Sequence, residues 1–221
     1  MACWSAENAI KAYLNTLKMG QKAKEPAVAE FISALAAGNN AQLMVVACAG
    51  AADSTTLALV TAAHQTGGHV VCIVPGHEEL KASKNFLGIA SSQVHFMVGE
   101  AQQKLMILNQ ADFVLIDCNL VNHGEILEAV QSGGKPNGTV VVGYNAFSCK
   151  RSWLSCGSKT QLLPIGKGLM VTRFGAIATS PKYGSGMSKI KSSRWVVKVD
   201  KCTGEEHVYR IRVPQGKVIQ A

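Results

Sequence analysis

Residues 43–74 contain two apolar runs of strand length on either side of a helix-length segment, and this arrangement limits the fold more than any other feature. The first run is LMVVACA, the helical segment is STTLALVTAAHQT, and the second run is HVVCIV. Gly67-Gly68, between the helical segment and the second run, is predicted to end the helix. Both runs are apolar throughout instead of alternating, which is typical of parallel strands with helices on both faces. The segment therefore predicts a strand–helix–strand unit, whose first loop is the usual ligand site in such folds.

The same alternation of helix and strand patterns continues along the chain. Two helices are predicted before this unit, at residues 5–17 and 26–37. The later predicted elements are helices at 78–86, 101–108 and 125–131 and strands at 93–98, 113–117 and 139–144. TQLLPI and GLMVTRF, which flank Gly166-Lys167, predict an antiparallel hairpin. Together these elements predict a doubly wound, mostly parallel α/β sheet with an antiparallel edge hairpin.

Positive charge is concentrated in the C-terminal part of the chain. The 221 residues carry a net charge of +8, and nine Lys and Arg against three acids lie from Pro181 onwards. Residues 179–194 are rich in Ser, Gly and Lys, which is typical of a linker, and RWVVKVDKCTGEEHVYRIRV predicts a second β-hairpin. The sequence therefore predicts an α/β domain at residues 1–178 and a basic linker with a hairpin at 179–221.

Composition argues against a membrane protein and against a disulfide or zinc site. No apolar stretch approaches the roughly 18 residues of a membrane span, and the N-terminal residues lack a secretory pattern. The seven cysteines include no C-x-x-C pair, and Cys48, Cys72 and Cys118 stand in predicted strands. They are interpreted as reduced core thiols. We therefore expect a cytoplasmic or nuclear protein with no membrane partner.

Four motifs stand in the same order and spacing as in a known enzyme group. They are VGEAQQKL at a third-strand ending, FVLIDCN at a fourth strand, KPNGTVVVGYN at a fifth, and LLPIGKGLMVTR at a closing hairpin. With the two N-terminal helices, they resemble the small-molecule O-methyltransferase branch of the S-adenosylmethionine-dependent methyltransferases. The resemblance implies a class I methyltransferase-like, Rossmann-like fold.

The chain also resembles a plant family of uncharacterised methyltransferase-like proteins along its whole length. The similar segments are KEPAVAEFISALAAG, HVVCIVP, LPIGKG and RWVVKVDKCTGEEHVYR. This second resemblance includes the C-terminal β-hairpin extension, which the O-methyltransferase branch lacks. It defines the fold more sharply than it defines a reaction.

The resemblance implies S-adenosylmethionine as a cofactor and assigns acidic residues to it. Glu100, which is followed by Ala101, takes the position of the acid that reaches the adenine. The acid that binds the ribose at the end of the second strand is replaced by Val74-Pro75. Glu78 substitutes for it only if the loop folds back; otherwise Glu78 is a solvated residue at a helix start.

The loop after the first strand departs from the E-x-G-x-x-x-G pattern of the resembling enzymes. Asp53 stands at the second glycine position, and Gly50 lies one position away from the first. Asp53, Ser54 and Thr55 precede or begin a predicted helix, whose N-terminal N–H groups favour an anion such as a cofactor carboxylate. The alternative is that Asp53 or Ser54 only caps the helix. The predicted cofactor-binding residues are therefore Gly50, Asp53, Ser54, Thr55, Glu100 and Ala101.

Two polar residues follow the fourth and fifth predicted strands and are the candidate catalytic residues. Asp117 and Asn145 match positions that hold Mg²⁺ or Ca²⁺ in metal-dependent members of the resembling group. The partner carboxylate is replaced by Tyr144, and the lysine near the metal falls at Leu120. Because hard cations need several oxygen ligands, these residues disfavour a metal. Asp117 and Asn145 are expected to orient a small-molecule methyl acceptor.

The basic C-terminal segment offers a second kind of site. The candidate nucleic-acid contacts are Lys189, Lys191, Arg194, Lys198, Arg210 and Arg212. Lys198, Arg210 and Arg212 are expected to form a stripe on the second hairpin, which fits RNA or another polyanion. Alternating basic side chains also protect an exposed edge strand from pairing.

Two functions remain open on the sequence. The first is S-adenosylmethionine-dependent methyl transfer to a small molecule, achieved by holding the acceptor in line with the methyl group. The second is a non-catalytic methyltransferase-fold protein that binds a partner or RNA through its basic C-terminal segment. The fold alone does not decide between them.

Overall fold

The computed structural model describes residues 4–19, 28–133, 138–147 and 160–174 in full, and the backbone of 148, 193–199 and 206–212. Six α-helices lie in the described part of the chain: α1 (Ala6–Met19), α2 (Val28–Gly38), α3 (Ser54–Thr66), α4 (His77–Leu87), α5 (Ala101–Ile107) and α6 (His123–Ser132). Strands β1–β5 are Leu43–Ala47, His69–Val74, Val94–Val98, Phe113–Asp117 and Thr139–Tyr144. Strands β6–β9 are Thr160–Leu163, Leu169–Phe174, Ser193–Val199 and Glu206–Arg212.

Seven strands form one sheet in the order β3-β2-β1-β4-β5-β7-β6. Strands β1 to β5 pair in parallel, and β7 runs antiparallel to both β5 and β6. This confirms the predicted doubly wound, mostly parallel sheet with an antiparallel edge. From β1 the chain first adds β2 and β3 on one side of the sheet and then adds β4 and β5 on the other side. Ligands bind at the carboxyl edge of a sheet beside the point where the strand order reverses in this way.

Helices cover both faces of the sheet and explain why its strands are apolar throughout. Met44 and Val46 of β1 pack into a cluster with α2 and α3. Val45 and Ala47 point into a second cluster with α5 and α6. All four of these side chains are 0% exposed. Because consecutive residues of a strand point to opposite faces, the unbroken run gives each face its own core.

The predicted stop of α3 at Gly67-Gly68 is confirmed. Gly67 caps the helix in the left-handed conformation with φ 70°, which glycine adopts without strain. A Cβ at Gly68 would lie 2.7 Å from the carbonyl oxygen of Ala41. The chain can therefore turn directly into β2 only because both residues lack a side chain.

Several element boundaries differ from the sequence-based expectation. The segment Gly88–Gln93 forms a 3₁₀ helix after α4, which periodicity did not indicate, so β3 begins at Val94. Helix α6 begins at His123, before the predicted start at residue 125. The predicted start of α2 at Pro26 lies outside the described residues.

The chain divides into two compact units, Met1–Ala178 and Thr179–Ala221. In the second unit β8 and β9 pair antiparallel, as expected for the C-terminal hairpin. Lys198 pairs with His207 and Trp195 with Arg210 in this ladder. Among the described helices, none is long and apolar enough to cross a bilayer.

Candidate ligand-binding cavity at the carboxyl edge of the sheet

A cavity of about 370 Å³ opens at the carboxyl edge of the parallel strands. Its size falls within the range of small-molecule sites. The loops that follow β1, β2, β3 and β4 all contribute to its walls: Cys48, Ala49, Ile73, Pro75, Gly99, Glu100, Ala101, Asn119, Leu120, Val121 and Asn122. The sheet thus places the cavity at the edge where a doubly wound fold binds its ligand.

The loop between β3 and α5 brings two of the predicted cofactor residues to this cavity. Gly99 has φ +127°, a conformation that is open essentially to glycine alone, and its N–H donates to the carbonyl of Val74. Glu100 follows it, is exposed, and accepts a hydrogen bond from Gln103 Nε2 at 2.8 Å. Ala101 begins α5 and lines the same wall. This loop therefore offers a solvated carboxylate to a ligand.

The loop between β1 and α3 uses its polar groups in hydrogen bonds within the protein. Asp53 caps α3: its Oδ1 accepts from the Thr55 backbone N–H at 2.8 Å and from Thr55 Oγ1 at 2.6 Å. Ala52 N–H donates to Ser83 Oγ at 2.8 Å, which ties the loop to α4. Gly50 has open space where a Cβ would stand, and Ser54 is exposed. The capping role, one of the two alternatives for Asp53, is the one found.

The end of β2 presents an apolar wall in place of a ribose-binding acid. Pro75 lines the cavity directly after the strand. Glu78 lies in the first turn of α4 and is not among the cavity-lining residues. The loop does not fold back to bring this carboxylate to the cavity.

The two predicted catalytic residues lie together at the ends of β4 and β5, and neither is among the cavity-lining residues. Asp117 ends β4, and Asn145 directly follows β5 in the left-handed conformation with φ 58°. Asn145 Nδ2 donates to Asp117 Oδ1 at 2.9 Å, and the backbone N–H of Asn119 donates to the same oxygen at 3.0 Å. Asp117 is 8% exposed. Neighbouring parallel strands thus hold this pair in one fixed arrangement.

The oxygen atoms of Asp117 and Asn145 do not form a suitable set of ligands for a divalent cation. Asp117 is the only carboxylate of the pair, and one of its oxygens already accepts two hydrogen bonds. The Asn145 side chain uses its amide as a donor towards that carboxylate. Across the described ranges, no group of three or more His, Cys, Asp or Glu stands in a metal-binding arrangement. We therefore derive no step through a metal.

Tyr144 has a role that its position in the sequence did not reveal. The side chain is buried in the cluster formed with α2 and α3, close to Thr55 at the start of α3. Burial is the main reason that the pKa of Tyr144 lies far above its usual value, and the neighbouring Cys48, Asp53 and Asp117 raise it further. One buried phenol thus lies close to the ends of β1 and β5 and to the start of α3.

Two predicted core thiols meet in the core, and one of them also lines the cavity. Sγ of Cys48, directly after β1, lies 3.7 Å from Sγ of Cys72 on β2. The hydrogen bond with Cys72, followed by burial, raises the pKa of Cys48 well above its usual value. Cys48, Cys72 and Cys118 are all buried, as the sequence predicted. A high thiol pKa makes Cys48 a poor nucleophile although it lines the cavity.

The predicted nucleic-acid residues lie in the second unit. Lys189 and Lys191 fall outside the described residues. Arg194 and Lys198 belong to β8, and Arg210 and Arg212 belong to β9. The register places Arg194 opposite Ile211 and Arg210 opposite Trp195, on adjacent rungs of the ladder.

Comparison with known proteins identifies a family and a fold. A family described as "Protein of unknown function (DUF1442)" matches residues 1–211. No curated protein matches the sequence.

Solved structures of methyltransferases are similar in fold. A putative caffeoyl-CoA O-methyltransferase from Staphylococcus aureus has a TM-score of 0.55 at 17% identity, over 77% of this chain and 93% of that chain. The SAH-bound methyltransferase PaMTH1 from Podospora anserina has a TM-score of 0.57 at 13% identity, over 78% and 90%. The O-methyltransferase TomG from Streptomyces achromogenes, in complex with SAM, has a TM-score of 0.53 at 14% identity, over 80% and 93%. These similarities confirm the class I methyltransferase-like fold.

Proposed function

We propose that this chain, which belongs to the DUF1442 family of proteins of unknown function, binds S-adenosylmethionine with the adenosyl group in the carboxyl-edge cavity. One observation carries the proposal: the cavity joins the ends of β1 to β4, and Gly99, Glu100 and Ala101 form one wall. Methyltransferases of this fold have been crystallised with SAH or SAM, which supports the same class of ligand here. The cofactor would supply an electrophilic methyl group on a sulfonium.

The residues present fit the nucleoside part of such a ligand. Glu100 would accept a hydrogen bond from the adenosyl group, because its carboxylate is solvated and lines the wall. Pro75 and Leu120 would supply apolar surface for a purine. Gly99 would allow the ligand to approach the backbone closely, since no side chain intervenes.

Asp117 and Asn145 are proposed to orient a small-molecule acceptor. Their mutual hydrogen bond leaves Asp117 Oδ2 and Asn145 Oδ1 as the acceptor atoms for a hydroxyl or amine. Catalysis would come from positioning, because methyl transfer needs the acceptor in line with the methyl group and few charged side chains. The plant origin and the cytoplasmic or nuclear location indicated by the sequence stay predictions that accompany this proposal.

Thermal denaturation with added ligand tests the proposal. Ligand at a hundredfold excess over its dissociation constant adds about 2.7 kcal/mol of stability, so S-adenosylmethionine should raise the melting temperature by several degrees. Glu100→Gln should weaken the shift, whereas Glu128→Gln, on the exposed face of α6, makes the same charge change and should leave it intact. No shift at millimolar S-adenosylmethionine or S-adenosylhomocysteine contradicts the proposal.

A second proposed function is the binding of RNA or another polyanion by the C-terminal unit. Support comes from its separation as the unit Thr179–Ala221 and from the nine Lys and Arg against three acids from Pro181 onwards. The full-length triple variant Lys198→Ala, Arg210→Ala and Arg212→Ala should weaken RNA binding and flatten its salt dependence. The variant Lys81→Ala, Lys84→Ala and Lys104→Ala removes the same charge from the first unit as a control. Equal effects of the two triple variants contradict this function.

A further inference from the structure

We infer that the cavity recognises the nucleoside part of an adenosyl ligand and disfavours its amino-acid tail. This inference rests on the proposed function, because it concerns the same cavity. The ligand class it names is a neutral adenine nucleoside, including 5′-thioether nucleosides such as 5′-methylthioadenosine. The protein would then bind 5′-methylthioadenosine at least as tightly as S-adenosylhomocysteine, which carries the same adenosine and thioether sulfur plus an amino-acid tail.

The first argument is that the start of α3 already holds a carboxylate. Free N–H groups at a helix start are the natural partners of a ligand anion. Here Asp53 Oδ1 accepts from the backbone N–H and the hydroxyl of Thr55, at 2.8 Å and 2.6 Å. A ligand carboxylate that approached this helix start would meet a like charge and would have to displace these bonds.

The second argument concerns which loops line the cavity. The loop after β3 contributes Gly99 and Glu100, whereas the loop after β1 contributes only Cys48 and Ala49. None of the cavity-lining residues belongs to the segment from Gly50 to Thr55. The cavity therefore reaches the half of the edge that suits a nucleoside and stops before the helix start that would receive its tail.

The third argument is the charge of the walls. Among the described residues that line the cavity, Glu100 is the charged side chain and none is a Lys or Arg. Lys104 lies near this wall without lining it, with its Cε 3.4 Å from the position that a Cβ on Gly99 would take. Asp53 and Asp117 lie close enough to Tyr144 to raise its pKa, so the region beside the start of α3 is acidic. A ligand carboxylate is therefore disfavoured at that helix start.

Calorimetric titration of the full-length protein with two matched ligands tests the inference. The wild-type protein should bind 5′-methylthioadenosine with an affinity equal to or above that for S-adenosylhomocysteine. Asp53→Asn removes the charge but keeps the N-cap, since Asn and Asp cap equally well. It should raise the affinity for S-adenosylhomocysteine about tenfold, because the like-charge contact with the ligand carboxylate is removed, and leave the affinity for 5′-methylthioadenosine unchanged; a factor of ten corresponds to about 1.4 kcal/mol.

Controls keep the outcomes distinct. Asp53→Gly is a second variant without the carboxylate, and Glu128→Gln removes a charge away from the cavity and should change neither affinity. Tighter binding of S-adenosylhomocysteine by tenfold or more in the wild type, or an unchanged ligand preference in both Asp53 variants, overturns the inference while the proposed function stands. Absence of binding by both ligands overturns the proposed function and the inference with it.

Discussion

Two loops at the same edge of the sheet differ in where their polar groups are satisfied. The loop between β3 and α5 leaves the Glu100 carboxylate exposed at the cavity wall. The loop between β1 and α3 uses Asp53 to cap its own helix and Ala52 to bind Ser83 on α4. The first loop leaves a carboxylate available to a ligand, whereas the second uses its polar groups in hydrogen bonds within the fold. One edge of a sheet can thus keep the architecture of a cofactor site while only one of its loops has polar groups available to a ligand.

Replacing one glycine in each loop should give the largest difference between them. Gly99→Ala forces a side chain onto a residue with φ +127°, which we expect to cost about 1–3 kcal/mol and to abolish ligand binding. Gly50→Ala is the matched control, because open space surrounds its Cβ position and the change should stay within about 0.5 kcal/mol. Urea denaturation of both variants measures the effect, and equal losses contradict the comparison.

Alkaline pH should lower the free energy of unfolding through Tyr144, whose phenol is buried beside the loop between β1 and α3. The pKa of Tyr144 is raised in the folded state, so the folded protein holds this proton more tightly than the unfolded chain. This contribution to stability is complete below the ordinary tyrosine pKa of about 10 and is lost as the pH rises above it. The Tyr144→Phe variant has no phenol to ionise at this position. Its free energy of unfolding should therefore fall by about 1 kcal/mol less than that of the wild type when the pH rises from 10 to 11.

Urea denaturation at pH 8, pH 10 and pH 11 measures this difference, with each protein compared with its own stability at pH 8. Tyr13→Phe is the control, because Tyr13 lies on α1 and is only half-buried. Parallel pH profiles for the wild type and Tyr144→Phe would contradict the buried position of the phenol.

Removing the cap of α3 should have a moderate effect on stability. Asp53→Ala loses both hydrogen bonds to Thr55, which we expect to cost about 1 kcal/mol. Asp53→Asn should keep most of that stability, since the amide oxygen can still accept from the helix start. If Asp53→Ala is as stable as the wild type in urea denaturation, the loop is not held by its own carboxylate.

Glu100 should show the smallest effect on stability and a clear effect on binding. Its side chain is exposed, so Glu100→Gln should change the free energy of unfolding by less than about 0.5 kcal/mol. The same substitution should weaken the binding of an adenosyl ligand, because a neutral amide accepts a weaker hydrogen bond than a carboxylate. A stability loss larger than that of Asp53→Ala would reverse the roles assigned to the two loops.

The sequence was sufficient for the order of the elements. The run around Met44–Ala47 is apolar at every position, which predicts a strand buried on both faces, and the glycine pair at residues 67–68 predicts the end of α3. Both follow from local chemistry. The 3₁₀ helix at Gly88–Gln93 was missed, because its short segment carries no hydrophobic period.

The contacts of the site were harder to predict from the sequence. The sequence showed Tyr144 only as the replacement of a metal-binding carboxylate, although its buried side chain lies close to Thr55 and Cys48, which are far away in the sequence. The approach of Cys48 to Cys72 depends on the register between β1 and β2. Such contacts depend on which strands are neighbours and on the register between them. A single sequence does not specify either of these.

The central claim is that the cavity beside Gly99 and Glu100 binds an adenosyl ligand. Titration of the isotopically labelled protein with 5′-methylthioadenosine, followed through its backbone amide resonances, tests the claim most directly. The account predicts saturable shifts at Gly99, Ala101 and Leu120, with little change at Asn8 on α1 and Glu128 on α6, neither of which lines the cavity. Unchanged spectra at millimolar ligand, or saturable shifts confined to β8 and β9, would contradict it.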